Sequence, residues 1–146
     1  MLRDWCTWDK DYNEGIVEFI RTALVRLACP DESTRHEYSS VLMQGSGTFS
    51  VEPVIGSAIP RDGKLLVLAN GEYGQRIAKI ARVLGIAHEV LDRGELAPPD
   101  LSALEAKLST DADVTHVALV HGETTTGMLN PIEQAGMIVK QAGRIL

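Results

Sequence analysis

Val41-Leu42-Met43-Gln44-Gly45-Ser46-Gly47-Thr48-Phe49 reads as a short apolar strand, a glycine turn and the first residues of a helix. Two glycines flanking a serine let the backbone bend tightly and turn successive N–H groups toward one point. The helix N-terminus adds partial positive charge there, and Ser46 and Thr48 add hydroxyl donors. The product is a cradle for a phosphate or another anion. The same residues also suit a plain strand-to-helix turn, so the surrounding chain has to decide between the two.

Downstream, strand and helix patterns alternate. A helix is expected over 48–58, bent at Pro53, because a proline past the first turn removes a hydrogen bond. Residues 64–69 (Lys-Leu-Leu-Val-Leu-Ala) are a continuous apolar run, the mark of a parallel strand covered on both faces. Loop 70–74 leads into a helix with Ile77, Ile80, Ala81 and Leu84 on one face, stopped by Gly85. A strand over 87–91, a helix from Pro98-Pro99-Asp100 to about 108 and a strand over 114–120 follow. After the polar loop 121–127, Pro131 opens a last helix, and Arg144-Ile145-Leu146 looks like the start of another strand.

Upstream, Asn13 can cap a helix over 14–28, with Ile16, Val17, Ile20, Ala23, Leu24 and Leu27 as its core stripe and Glu18, Arg21 and Arg26 solvated. Residues 30–37 should be a charged loop and 39–44 the first strand. Trp5 and Trp8 stand in an irregular opening segment and need some other surface to cover them, which hints at a preceding piece of chain. The class is α/β with a mainly parallel sheet. Right-handed crossovers then bring loops 45–48, 70–74 and 121–127 to one edge, the carboxyl ends of the strands, where such sheets bind ligands.

Composition narrows the function. A chain of 146 residues that is 45% apolar suits one domain with a real core. Its net charge of −6, with the signs interspersed, argues against a nucleic-acid partner. No apolar run approaches a membrane span, and the first residues do not resemble a signal peptide. Cys6 and Cys29 give neither metal spacing nor a disulfide framework, so inert thiols in a reducing cytosol are expected, with no metal.

The second loop offers Tyr73, whose ring can lie against a planar ligand or simply pack on its own helix. The third offers Glu123 with Thr124, Thr125 and Thr126, hydroxyls that can bond the edge of a polar ring or cap their own loop. Anion cradle, flat ring and hydrogen-bonding edge together suit a phosphorylated aromatic cofactor such as pyridoxal phosphate. A dinucleotide fits less well: position 50 is serine where the fingerprint wants glycine, and the 64–69 strand is followed by Asn70, not an acid.

These residues resemble the 2-aminoethylphosphonate–pyruvate transaminase family, in the fold-type I, class V-like group of pyridoxal phosphate enzymes. The resemblance rests on Cys6-Thr7-Trp8-Asp9, Asp11-Tyr12-Asn13, Gln44-Gly45-Ser46-Gly47-Thr48, Asn70-Gly71-Glu72-Tyr73-Gly74-Gln75-Arg76, Leu84-Gly85-Ile86-Ala87-His88 and His121-Gly122-Glu123-Thr124-Thr125-Thr126-Gly127-Met128-Leu129-Asn130-Pro131. Pro53 departs from the pattern, where a small residue is usual. The glycine and glutamate–threonine loops are shared with alanine–glyoxylate and serine–pyruvate aminotransferases, which leaves those, or a non-catalytic α/β binding module, as alternatives.

The resemblance implies that Ser46, Gly47 and Thr48 bind the cofactor phosphate, that Tyr73 stacks on the pyridine ring, and that Thr124 reaches its phenolic oxygen. It implies transfer of the amino group of 2-aminoethylphosphonate to pyruvate, between a small amino donor and a 2-oxo acid acceptor, in a cytoplasmic homodimer. The lysine that forms the Schiff base and the aspartate against the pyridine nitrogen match none of Lys64, Lys79, Lys107 and Lys140 or any residue here. On that reading residues 1–146 are an incomplete large domain, lacking the extreme N-terminus, the lysine region and the small domain, and inactive alone.

Overall fold

β1 (Lys64–Ala69) lies at the centre of a three-stranded parallel sheet, between β2 (Ala87–Asp92) and β3 (Val114–Leu119). Every residue of β1 after Lys64 is buried, which is why the strand is apolar without alternation. Side chains alternate across a strand, so Leu66 and Leu68 enter one layer and Leu65 and Val67 the other. The first pair packs with Leu104 and Leu108 of α4 (Leu101–Thr110) and with Ala135 and Val139 of α5 (Ile132–Gln141). The second packs with Ile55 of α2 (Gly47–Ala58) and with Ala78 and Ala81 of α3 (Glu72–Val83).

This computed structural model describes residues 4–146. The chain forms two compact units, one ending at Gly45 and the other spanning Ser46–Leu146. Within the second unit the elements fall close to the sequence expectations. Gly85, at φ +71°, ends the connection from α3, and the Asp100 carboxylate caps α4 by accepting from the Ala103 amide at 3.0 Å. Pro53 lies inside α2 past its first turn. Ile145 pairs in parallel with His116, and its carbonyl accepts from the Val117 amide at 2.8 Å, as a strand beginning there would require. The polar loop after β3 holds a two-residue hairpin, β4 (Gly122–Glu123) and β5 (Met128–Leu129), that periodicity could not show.

The first unit departs from expectation. A π-helical stretch, Asp11–Val17, precedes α1 (Glu18–Ala28). The stripe read as core is not buried: Ile20 is 39% exposed and Leu27 80%. Trp8 is 90% exposed. Residues 39–44 form no strand. The Ser40 carbonyl accepts instead from Arg21 Nε at 2.9 Å, and Ser39 Oγ accepts from the same guanidinium at 3.0 Å. Arg21, expected in solvent, therefore anchors the segment. Arg35 does the same for the charged loop, donating to the Cys29 and Pro30 carbonyls at 2.8 and 2.9 Å.

Near the start of β1, Lys64, Glu89, Lys107 and Asp111 form a ring of alternating charge. Lys64 Nζ lies 3.0 Å from Glu89 and 2.7 Å from Asp111; Lys107 contacts both carboxylates too, 2.9 Å from Asp111. Hydrogen bonds from Lys64 and then Lys107 hold the Asp111 carboxyl well below the usual aspartate range. An unfolded Asp111 protonates first as pH falls, so its contribution is present above about pH 3.9 and disappears as pH drops toward its folded value. Asp111→Asn should therefore flatten the fall in melting temperature between neutral pH and strong acid; thermal melts across that range check this, and parallel curves would refute it. Among the described residues no helix is long and apolar enough to cross a membrane, and no cluster suits a metal ion.

Candidate functional site

Ser46 is the N-cap of α2: its backbone is extended, and its Oγ accepts from the Phe49 amide at 3.3 Å. The hydroxyl proton remains available to donate. The amides of Gly47 and Thr48 belong to the first turn of the helix, where no intrahelical acceptor exists. An N-cap, two outward amides and the helix dipole thus converge, as the glycine-turn reading expected of residues 46–48.

Tyr73 stands in the first turn of α3 and is 39% exposed. Arg76, one turn on, lays its guanidinium 4.9 Å from the centre of that ring and donates to Thr48 Oγ1 at 3.1 Å. One side chain therefore bridges the start of α2 and the aromatic of α3.

The start of α3 is held by the hairpin. Glu123 is fully buried and forms no ion pair among the described residues. Its carboxylate accepts from the Tyr73 amide at 3.2 Å, the Gly74 amide at 3.3 Å and the Thr125 hydroxyl at 2.8 Å. Burial pushes its pKa up, but the hydrogen bonds from Thr125, Gly74 and Tyr73 outweigh that and hold it below the usual glutamate range. Space around this contact is tight: a Cβ on Gly71 would lie 2.5 Å from Glu123 Cγ. Beside it, the buried amides of Asn70 and Asn130 exchange hydrogen bonds of 2.8 and 2.9 Å, and Asn130 also donates to the Val120 carbonyl at 2.7 Å.

These bonds sort the three threonines. Thr125 donates to Glu123, and Thr126 donates to the Glu123 carbonyl at 3.4 Å, so both cap their own loop. Thr124 makes no such bond and instead lines a cavity of about 540 Å³. Ser46, Gly47, Thr48, Tyr73 and Arg76 line the same cavity, with Val51, Ile77, Ile80, Leu119 and Val120 as its apolar part. The structure thus brings Ser46, Gly47, Thr48, Tyr73 and Thr124 to one opening, contains no carboxylate among the lining residues, and adds Arg76. Neither Arg76 nor Glu123 carried a role in the sequence reading. The three-residue spacing of Tyr73 and Arg76, which puts them on one helix face, was the signal for Arg76, and the place of Glu123 in the third polar loop the signal for Glu123.

Known proteins define the fold first. The alanine–glyoxylate aminotransferase of Nostoc superposes with a TM-score of 0.77 at 23% identity, covering 99% of this chain and 37% of that one. The pyridoxamine–pyruvate aminotransferase of Mesorhizobium loti gives 0.75 at 21%, covering 96% and 35%. The fold is that of part of the fold-type I pyridoxal phosphate aminotransferases. Sequence relatives are more particular: the chain is 56% identical over its whole length to the 2-aminoethylphosphonate–pyruvate transaminase of Vibrio vulnificus, and 54% to that of Syntrophobacter fumaroxidans. It spans 39% and 38% of the lengths of those relatives. No family model matches.

Proposed function

We propose that the cavity receives pyridoxal 5'-phosphate, and that this chain supplies the phosphate and ring-face subsites of a transaminase moving the amino group of 2-aminoethylphosphonate to pyruvate, giving phosphonoacetaldehyde and alanine. The observation that carries this is the convergence of Ser46, Thr48, Tyr73 and the uncommitted Thr124 on one cavity without a carboxylate. Its volume is in the range of small-molecule sites. Whole-length identity to the phosphonate enzymes favours this donor over the alanine–glyoxylate alternative, whose likeness stands at 23% identity.

Each residue has a separate task. The Gly47 and Thr48 amides and the Ser46 and Thr48 hydroxyls would hold phosphate oxygens at the positive end of α2. Tyr73 would offer a flat apolar face, and Thr124 a donor to the ring's phenolic oxygen. When bound, the cofactor supplies an electron sink for bonds at the amine-bearing carbon. The chain's own contribution is to bind and orient: no lysine lines the cavity, and Lys64 and Lys107 are committed to the charged ring. The family resemblance supports a large-domain assignment and a cytoplasmic homodimer, which sedimentation can check.

Calorimetric titration with pyridoxal phosphate tests the site. Thr124→Val should weaken binding by about tenfold, since a hydrogen bond to a charged oxygen is lost with little change of shape. A wild-type chain that takes up none of the ligand, or a variant that binds as tightly, would refute the assignment.

A further inference from the structure

We infer that Arg76 makes the cavity selective for the phosphorylated form of its ligand. This rests on the cofactor reading above and deepens it. Arg76 is the one charged residue among those lining the cavity, and it forms no ion pair among the described residues. A cation without a carboxylate beside it, set at the mouth of a half-apolar cavity, favours an anion.

The position is specific as well as the charge. Arg76 gives one N–H to Thr48 Oγ1 at 3.1 Å, and its guanidinium carbon lies over the Tyr73 ring, 4.9 Å from the centre. A guanidinium carries five N–H donors in a rigid fork, so most remain unspent. A phosphate held by the Thr48 hydroxyl would share Thr48 Oγ1 as a neighbour with the fork. The stacking on Tyr73 holds the side chain in place beforehand, which limits the ordering that binding requires. The α2 N-terminus supplies neutral donors; Arg76 supplies the full charge that separates a phosphate ester from the alcohol it is made from.

The test is a comparison of three ligands, pyridoxal phosphate, pyridoxal and inorganic phosphate, titrated calorimetrically into the wild-type chain, R76Q and R76K at low and high salt. R76Q should weaken pyridoxal phosphate and inorganic phosphate by about tenfold and reduce the salt dependence, with a clearly smaller loss of pyridoxal affinity. R76K, which keeps the charge but not the fork or the contact with Tyr73, should recover part of the preference. Equal losses for pyridoxal and its phosphate, no loss in R76Q, or an R76K that behaves as R76Q would overturn the inference alone. A wild-type chain that binds no pyridoxal phosphate would overturn the cofactor reading and this inference with it.

Discussion

Glu123→Ala should destabilise the Ser46–Leu146 unit by about 3 kcal/mol, seen as a lower guanidinium midpoint at unchanged slope. The reason is where the carboxylate's partners are. It accepts from the Tyr73 and Gly74 amides, two of the first-turn donors of α3 that no helical carbonyl can satisfy. It also accepts from the amide and hydroxyl of Thr125. Truncation strands these donors at a buried contact and removes a negative charge from the positive end of the helix. Glu123→Gln keeps the shape and one acceptor oxygen, so its loss should be about half as large. Because the folded pKa lies below the unfolded one, the carboxylate's contribution is present above about pH 4.3 and is lost as pH falls through the folded value. The glutamine variant should lack that acid-side slope. An alanine variant with the wild-type midpoint would show that the contact contributes nothing.

Gly74→Ala should cost about 2–3 kcal/mol by a different route. An added Cβ would lie 2.8 Å from Ala69 Cα and 2.9 Å from Ala69 Cβ. Ala69 is fully buried at the end of the central strand, with layers packed on both faces, so the neighbour has little room to withdraw. α3 would have to lift away from β1, carrying Tyr73 and Arg76 with it. Denaturant melts give the stability loss. Weaker pyridoxal phosphate binding in folded Gly74→Ala would follow from the displaced ring, and a variant as stable as wild type would rule out the close approach.

Much of the second unit was legible because its signals are local or periodic. The 64–69 run announced a doubly covered strand, and Ser46, Gly47 and Thr48 announced a helix start, each within a few neighbours. The three loops could be assigned to one edge because parallel connections leave little choice of hand. The first unit misled because helical spacing shows which side chains share a face, not whether anything covers it. Its Ile20 and Leu24 do share one, yet remain substantially exposed. The 39–44 segment has strand composition, but its backbone oxygen goes to Arg21, a partner that no period encodes. In the site, the family resemblance singled out Thr124, but the physical reason came only with the structure, since identity of side chain says nothing about which hydroxyl is already engaged. Glu123 and Arg76 were given no role for a related reason: the bonds that place them at the site, Glu123 to the Tyr73 and Gly74 amides and Arg76 to Thr48, join residues far apart along the chain.

The paired amides of Asn70 and Asn130 bear on how this protein ages. Asparagine followed by glycine, as in Asn70-Gly71, is the dipeptide most prone in a loose chain to succinimide closure and deamidation. Here Asn70 is 1% exposed and its amide is bonded through both ends to Asn130, so it cannot swing onto the following nitrogen. Isoaspartate at this position would thus record how often the hairpin lets go, a chemical clock for opening of the cavity wall.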